Sequence, residues 1–337
     1  MEYSKTLDSI ITGNNLNEEE AYQLMNEILS GNLSTEKISG LLVALRCKGE
    51  TIDEVTGFVK ATREFAVKIE TNKDVVDTCG TGGDGAHTFN ISTTAAFIAA
   101  GAGVSIAKHG NRSVSSKCGS ADVLEELGID ISMSVEKVKT AVEEIGSGFC
   151  FAPLYHQSFK YAMPARKELG VRTVFNMLGP LLNPFLAKRQ VIGVFAPELT
   201  EFLAQILKRL GSKHIFIVHG EDGLDEVTLS GKTQITELKE GIITTKKISP
   251  TDFGYDYANT SELIGGDKTE NAKILKNILN GQKDVRRNIS VLNAALAITC
   301  SGKAKTIEEG VKLADLSIDS GAALQKLNDL VKFSAKG

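Results

Sequence analysis

Two short segments hold most of the side chains able to do chemistry. The first, Asp77-Thr-Cys-Gly-Thr-Gly-Gly-Asp84, runs through Gly85 and Thr88 into Asn90-Ile91-Ser92-Thr93. Clustered glycines after a strand let backbone N–H groups approach an anion with no Cβ in the way. Asn90, Ser92 and Thr93 then fall at a helix start, where free N–H groups and the helix dipole favour phosphate. A tight strand-to-helix turn with an ordinary N-cap would use the same residues. Gly80, Gly82 and Gly85 also match the dinucleotide-binding spacing. That fold needs an acid about 20 positions on to hold a ribose, and none occurs between Asp84 and Asp122. A P-loop fails too, because no Gly-Lys-Ser/Thr follows.

The second segment is Lys108-His109-Gly110-Asn111-Arg112-Ser113-Val114-Ser115-Ser116, followed by Lys117 and Ser120. Lys108, Arg112 and Lys117, with no acid among them, suit a multiply charged phosphate ligand; a solvated basic loop is the alternative. Further on, Arg166 follows Met163-Pro164, and an arginine can grip a carboxylate bidentately. A surface ion pair would use it equally well, and His156 reads first as a structural histidine. The run Glu221-Asp-Gly-Leu-Asp225-Glu226 contains four carboxylates in six residues. Adjacent Asp225 and Glu226 suit Mg2+, which binds through one or two carboxylates together with substrate phosphates. A solvated acidic turn is the alternative.

The elements that must position these groups follow from pattern. Residues 1–70 read as short helices: Asn17 caps a stripe of Ala21, Leu24 and Ile28 that ends at Gly31. Ser34 opens a second helix that closes at Gly49, and Thr51 with Glu54 forms a capping box. Such helices must pack as a bundle. From residue 74 strand and helix candidates alternate: Val75-Val76, a helix from Ile91, Val104–Ala107, and a helix through Leu127. Gln190–Phe195 and His214–Val218 follow, with a helical stripe at 199–210 between them. Alternation of this kind gives a mostly parallel sheet with crossover helices. Residues 227–250 read as short antiparallel strands, and from about 269 the chain is helical. The expected fold is α/β: a small N-terminal helical domain (1–70), joined by a segment near 160–188, and a larger α/β domain (71–337) with a mostly parallel central sheet and covering helices.

Composition excludes several classes. Net charge is −4, which opposes a general nucleic-acid binder. The first twenty residues are polar and acidic, so no signal peptide is expected. Thr93–Ala107 is too short and too rich in Gly and Ala to span a membrane. Five scattered cysteines without a CxxC pair point to reduced thiols in the cytosol. Of 32 glycines, eight lie between Gly80 and Gly119, so the excess is local to the two segments above.

Taken together, these motifs resemble the anthranilate phosphoribosyltransferases of tryptophan biosynthesis. The resemblance covers nearly the whole chain. It is carried in order by Gly-Thr-Gly-Gly-Asp at 80–84, Asn-Ile-Ser-Thr at 90–93, Lys-His-Gly-Asn-Arg at 108–112 and Gly-Ser-Ala-Asp at 119–122. Arg-Lys-Glu-Leu-Gly at 166–170, Arg-Thr-Val-Phe-Asn at 172–176, Gly-Pro-Leu-Leu-Asn-Pro at 179–184, Asp-Gly-Leu-Asp-Glu at 222–226 and Leu-Asn-Ala-Ala at 292–295 complete it. It implies that Gly80, Gly83, Asp84, Thr88, Asn90, Ile91, Ser92, Thr93, Lys108 through Ser116, and Ser120 hold phosphoribosyl pyrophosphate. It further implies Gly80, Asn111 and Arg166 at anthranilate, and Ser92, Asp225 and Glu226 on two Mg2+ ions per chain. Gly80, Lys108 and Arg166 would be the catalytic positions, with His109 and His156 lining the same region. A cytoplasmic homodimer is the family expectation. A pyrimidine nucleoside phosphorylase of related fold, or a non-catalytic nucleic-acid-binding paralogue, are the competing readings.

Overall fold

A computed structural model describes residues 2–113 and 117–335. The N-terminal helices form where their caps place them. After α1 (Tyr3–Ile11) comes α2 (Glu18–Leu29), closed at its start by a reciprocal capping box between Asn17 and Glu20. Ser34 caps α3 (Thr35–Lys48), which stops at Gly49, and a second capping box joins Thr51 to Glu54 at α4 (Ile52–Phe65). Their apolar stripes, Leu24, Ile28, Leu41, Leu45, Val55 and Phe58 among them, are fully buried together. Inside that bundle Glu54 is a buried acid satisfied by the Leu16 amide and the Lys48 ammonium, both at 2.9 Å.

The rest of the chain builds a seven-stranded sheet in the order β3-β2-β1-β4-β5-β6-β7. Its strands are β1 (Val76–Gly80), β2 (Ile106–Gly110), β3 (Ser147–Phe151), β4 (Arg189–Gly193), β5 (His214–Gly220), β6 (Thr233–Lys239) and β7 (Ile242–Ile248). The first five run parallel; β6 and β7 are antiparallel additions. Two strands extend further than the sequence suggests. Gly80 ends β1 rather than lying in the loop, and Lys108, His109 and Gly110 are the last residues of β2, not the start of the loop after it. Pairing of Gly80 with Gly193, and of His109 and Gly110 with Cys150 and Phe151, continues the ladders there. Local sequence shows neither partner.

Side chains alternate across a strand, so β5 sends Phe216 and Val218 to one core and Ile215 and Ile217 to the other. The first face is covered by α5 (Ile91–Gly101), α6 (Ser120–Glu126), α7 (Val135–Thr140) and α8 (Ala152–Tyr155) together with the C-terminal helices. The intervening helices are α9 (Met163–Leu169), α10 (Phe175–Leu178) and α11 (Glu198–Arg209). The C-terminal group is α12 (Lys268–Leu279), α13 (Val285–Ser301), α14 (Ile307–Asp319) and α15 (Ala322–Ala335). On the second face lies α11, and beyond it the N-terminal bundle, α9 and α10 share a single core with Ile192, Ile215, Ile217 and Leu238. Arg209 of α11 also pairs with Asp53 of α4. No helix among the described residues is long and apolar enough to cross a membrane.

Candidate active site

The carboxyl ends of β1, β2 and β4 meet beside the reversal in strand order, where open α/β sheets bind ligands. Glycine is required at the strand ends for clearance. A Cβ on Gly80 would stand 2.7 Å from Asp225 Oδ2, and one on Gly193 would overlap the Asp225 carbonyl oxygen. The loop beyond Gly80 turns through Gly82 and Gly83 at φ +64° and +77°, conformations that L side chains rarely adopt. It is held from two sides. Gly82 N donates to Asp225 Oδ2 at 3.0 Å. On the other side Arg172 donates to Gly83 O, with its guanidinium 4.2 Å above the Phe195 ring. Asp84 Oδ1 accepts the Ala86 amide at 3.2 Å. The loop then pairs Thr88 with Ile264 and enters α5 at Asn90. Asn90 does not cap that helix with its side chain; its Nδ2 donates instead to Cys118 O at 3.2 Å and ties the two loops together. Ile91 and Thr93 are buried at the first turn of α5.

Asp225 and Glu226 crowd this end of the sheet. Burial, with Asp84 close by, pushes the Asp225 carboxyl up to about 7 against the pull of the Gly82 amide. Burial and the neighbouring Asp225 push Glu226 well above the usual carboxylate range, and the Lys108 ammonium opposes them. Two carboxylates that resist sharing negative charge are a donor set suited to a dication. No group of three His, Cys, Asp or Glu side chains among the described residues is arranged as a metal site. Mg2+ completes its shell with water and phosphate oxygens, so the pair with the Ser92 hydroxyl fits it.

Lys108 is 5 % exposed. Its ammonium donates to Thr78 O and, at 3.3 Å, to Ser92 Oγ. Beside it His109 N donates to Asp77 Oδ1 at 3.0 Å, and Asn183 Nδ2 donates to Ala107 O at 2.8 Å. The basic segment is thus less free than its composition suggests. Arg112 forks onto Glu125 (2.8 and 3.0 Å) and Asp122 (2.9 Å) of α6 and covers Phe151. Asp122 also accepts the amides of Ser113 and Gly119, at 3.2 and 2.8 Å, closing the loop on itself. Asn111 O accepts from Ser120 Oγ at 3.3 Å, and Gly110 is a glycine because a Cβ would overlap that hydroxyl oxygen. Val114, Ser115 and Ser116 lie outside the described residues.

From His109 a chain of rings leads toward the helical bundle. His109 and His156 meet edge to face at 5.1 Å, His156 stacks on Phe159 at 5.6 Å, and Phe159 meets Phe175 at 5.4 Å. The chain ends at Arg166, whose guanidinium lies 5.1 Å from the Phe175 ring. Burial holds both imidazoles neutral, His109 down to about 3 and His156 down to about 4. Both ring nitrogens of His156 are buried, and the Leu182 backbone opposes the effect of that burial. Arg166 is half-buried and, among the described residues, has no carboxylate paired with it. Sequence pattern assigns no role to Asp77, Asn183 or Arg172. An acid inside an otherwise apolar strand is the one signal available for Asp77.

Two family models match the chain. One is described as a glycosyl transferase family helical bundle domain, over residues 4–66, and the other as the a/b domain of the same family, over 72–324. The chain is 52% identical over 334 residues to the anthranilate phosphoribosyltransferase of Desulfosudis oleivorans, covering 98% of each. Among solved structures, the anthranilate phosphoribosyltransferase of Thermus thermophilus is similar at TM-score 0.93 and 41% identity, covering 97% of this chain and 98% of that one. The Saccharomyces cerevisiae enzyme in complex with PRPP and Mg is similar at TM-score 0.92 and 29% identity, over 99% and 98% of the two chains.

Proposed function

The chain belongs to the anthranilate phosphoribosyltransferase family, and on that premise we propose how its residues carry the transfer. The reaction joins the amine nitrogen of anthranilate to C1 of the ribose of 5-phosphoribosyl 1-pyrophosphate. The C1–oxygen bond breaks, pyrophosphate leaves with its electron pair, and the amine gives up one proton. The difficulty lies in the leaving group's negative charge and the oxocarbenium-like centre left behind.

The backbone of Gly80–Asp84 and the α5 start at Asn90, Ser92 and Thr93 supply fixed donors for that leaving charge. Lys108 adds a cation beside Ser92. Asp225, Glu226 and Ser92 would hold Mg2+, two ions per chain, whose positive charge stabilises the leaving oxygens when bound. Arg166, with Asn111 and the Gly80 backbone, takes the anthranilate carboxylate. The His109–His156 rings form an uncharged wall against the aromatic ring. Orienting the amine over C1 turns a bimolecular encounter into a positioned attack. An aromatic amine is neutral at pH 7, so no strong base is needed to free its lone pair. Arg112 acts by shaping its loop through Asp122 and Glu125. Residues 1–70, joined by the segment near 160–188, make the helical unit, and the remainder of 71–337 the binding unit. Ile11, Val43, Met163 and Val171, apolar and exposed on the helical unit, support a homodimer through that unit. The reading is completed by a place in tryptophan biosynthesis in the cytoplasm.

The observation that carries this reading is the meeting of Gly82 N with Asp225 Oδ2 beside Lys108 and Ser92. The test is loss of anthranilate fluorescence with phosphoribosyl pyrophosphate and Mg2+, run with and without chelator and beside a nucleoside phosphorolysis assay. Mg2+-dependent consumption of anthranilate is expected. Phosphorolysis without it would overturn the reading.

A further inference from the structure

Between β1 and β2 one rung of the parallel ladder is missing, and three side chains stand in its place. Val76 lies opposite Ile106, and Val76 N donates to Ser105 O. The next rung of a parallel ladder in that register would run from Thr78 N to Ala107 O and from His109 N to Thr78 O. That rung is not formed as a pair, and among the described residues Val76 with Ile106 is the only register pair of the two strands. Ala107 O accepts Asn183 Nδ2, His109 N donates to Asp77 Oδ1, and Thr78 O accepts the Lys108 ammonium. The flanking pairs, β1 with β4 and β2 with β3, stay in register to Gly80 and Gly110. The sheet is therefore opened along one seam only, at its carboxyl end.

All three substitutes are buried: Asp77 completely, Asn183 and Lys108 nearly so. A glutamine or asparagine could accept the His109 amide as well as Asp77 does. The second oxygen of Asp77 is buried, with the Asn183 and Cys79 side chains beside it, and a carboxylate charge held there is costly unless an opposite charge faces it. Lys108 supplies that charge, and Asp77, Cys79, Glu226 and Asp225 are the groups that face Lys108 in turn. The ammonium faces the carboxylate across the seam and donates into that seam at Thr78 O.

We propose that Asp77 and Asn183 are positioning residues for the transfer: they keep β1 and β2 apart so that the Lys108 ammonium stands within the seam beside Ser92. This rests on the reading of that end of the sheet as the pyrophosphate site. Asn183 and Asp77 take over the broken backbone pairings, and the Asp77 charge anchors the ammonium without competing for its donors.

The test is a double-mutant cycle read by calorimetric titration with Mg2+ and phosphoribosyl pyrophosphate. The proteins are the wild type, Asp77→Asn, Lys108→Met and the double variant, with thermal unfolding recorded for each. Asp77→Asn keeps an acceptor for His109 N and removes only charge. It is expected to weaken binding about tenfold or more, as for a buried charge that loses its partner. In the Lys108→Met background the same substitution is expected to change binding by less than about twofold, within the usual scatter of additive pairs. Equal losses in both backgrounds, or no loss in either, would overturn the proposal. Should Asp77→Asn not fold, Asn183→Ala enters the same cycle; failure of both to fold would assign these residues to the fold alone and overturn it. A wild type that binds no phosphoribosyl pyrophosphate would instead overturn the functional reading.

Discussion

The buried imidazole pair makes stability depend on pH in a way that one substitution should halve. His109 and His156 are held neutral, down to about 3 and about 4, whereas an unfolded histidine titrates near ~6.5. Below that value the unfolded chain binds two protons that the folded chain refuses, so stability falls with falling pH. The contribution is fully present above ~6.5 and is lost as pH drops toward the folded values. Each pH unit costs about 1.4 kcal/mol per group. Between pH 7.5 and 5.0 each histidine therefore loses roughly 2 kcal/mol, and the pair roughly 4 kcal/mol, a large part of the usual ~5–15 kcal/mol stability of a protein. His156→Phe keeps a flat ring against His109 and Phe159 and gives up only the ring's interaction with the Leu182 backbone. It is expected to cost under about 1.5 kcal/mol at pH 7.5. Urea unfolding at both pH values would give the comparison, since carboxylate contributions are common to the two proteins. The variant should lose about 2 kcal/mol less than the wild type on acidification. Equal losses, within about 0.5 kcal/mol, would refute the reasoning that the His156 ring is neutral because it is buried.

Three further outcomes concern the transfer itself. Arg166→Ala should raise the KM for anthranilate by about tenfold to a hundredfold, the worth of a charged hydrogen bond, and leave the KM for phosphoribosyl pyrophosphate nearly unchanged; an unaltered anthranilate KM refutes its assignment. Asp225→Ala combined with Glu226→Ala should remove the response of rate to added Mg2+, measured by steady-state titration of the metal, while the far-UV spectrum stays that of the parent. In Gly80→Ala the new Cβ would press on Asp225 Oδ2 from 2.7 Å and break its bond to Gly82 N. An increase of about tenfold in the Mg2+ needed for half-maximal rate is expected, at a stability cost of about 1–3 kcal/mol.

What the sequence discloses is local. The Asn17 cap and the Thr51–Glu54 capping box stand where the letters put them, and the structure adds a reciprocal bond from Glu20 back to Asn17. The amphipathic stripe at 199–210 is α11 almost to the residue, because a buried face repeats at helical spacing. Strand ends are hidden where glycine serves clearance and not turning: Gly80 makes way for Asp225 and Gly110 for Ser120, neither of them a chain neighbour. β3 gives no pattern of its own because Ser147-Gly-Phe-Cys-Phe151 is short and has a glycine inside it. The local excess of positive charge at 108–117 is real as composition. Its use is not legible there, since Lys108 turns inward and Arg112 is taken by two acids of α6.

The shared core on the second face of the sheet has a consequence for how the chain is made. The stripes of α2, α3 and α4 are complete by residue 65, but part of what covers them, Leu199, Leu203 and Leu207 of α11, lies more than 130 residues further along. At synthesis rates of about 5–20 residues per second, roughly 7–27 seconds separate the two on a translating ribosome. During that interval the nascent bundle carries an apolar flank that only later sequence can shield. A chain interrupted before β4 would keep that flank permanently, so the bundle is a poor fragment to express alone and a natural client for chaperones that bind emerging chains.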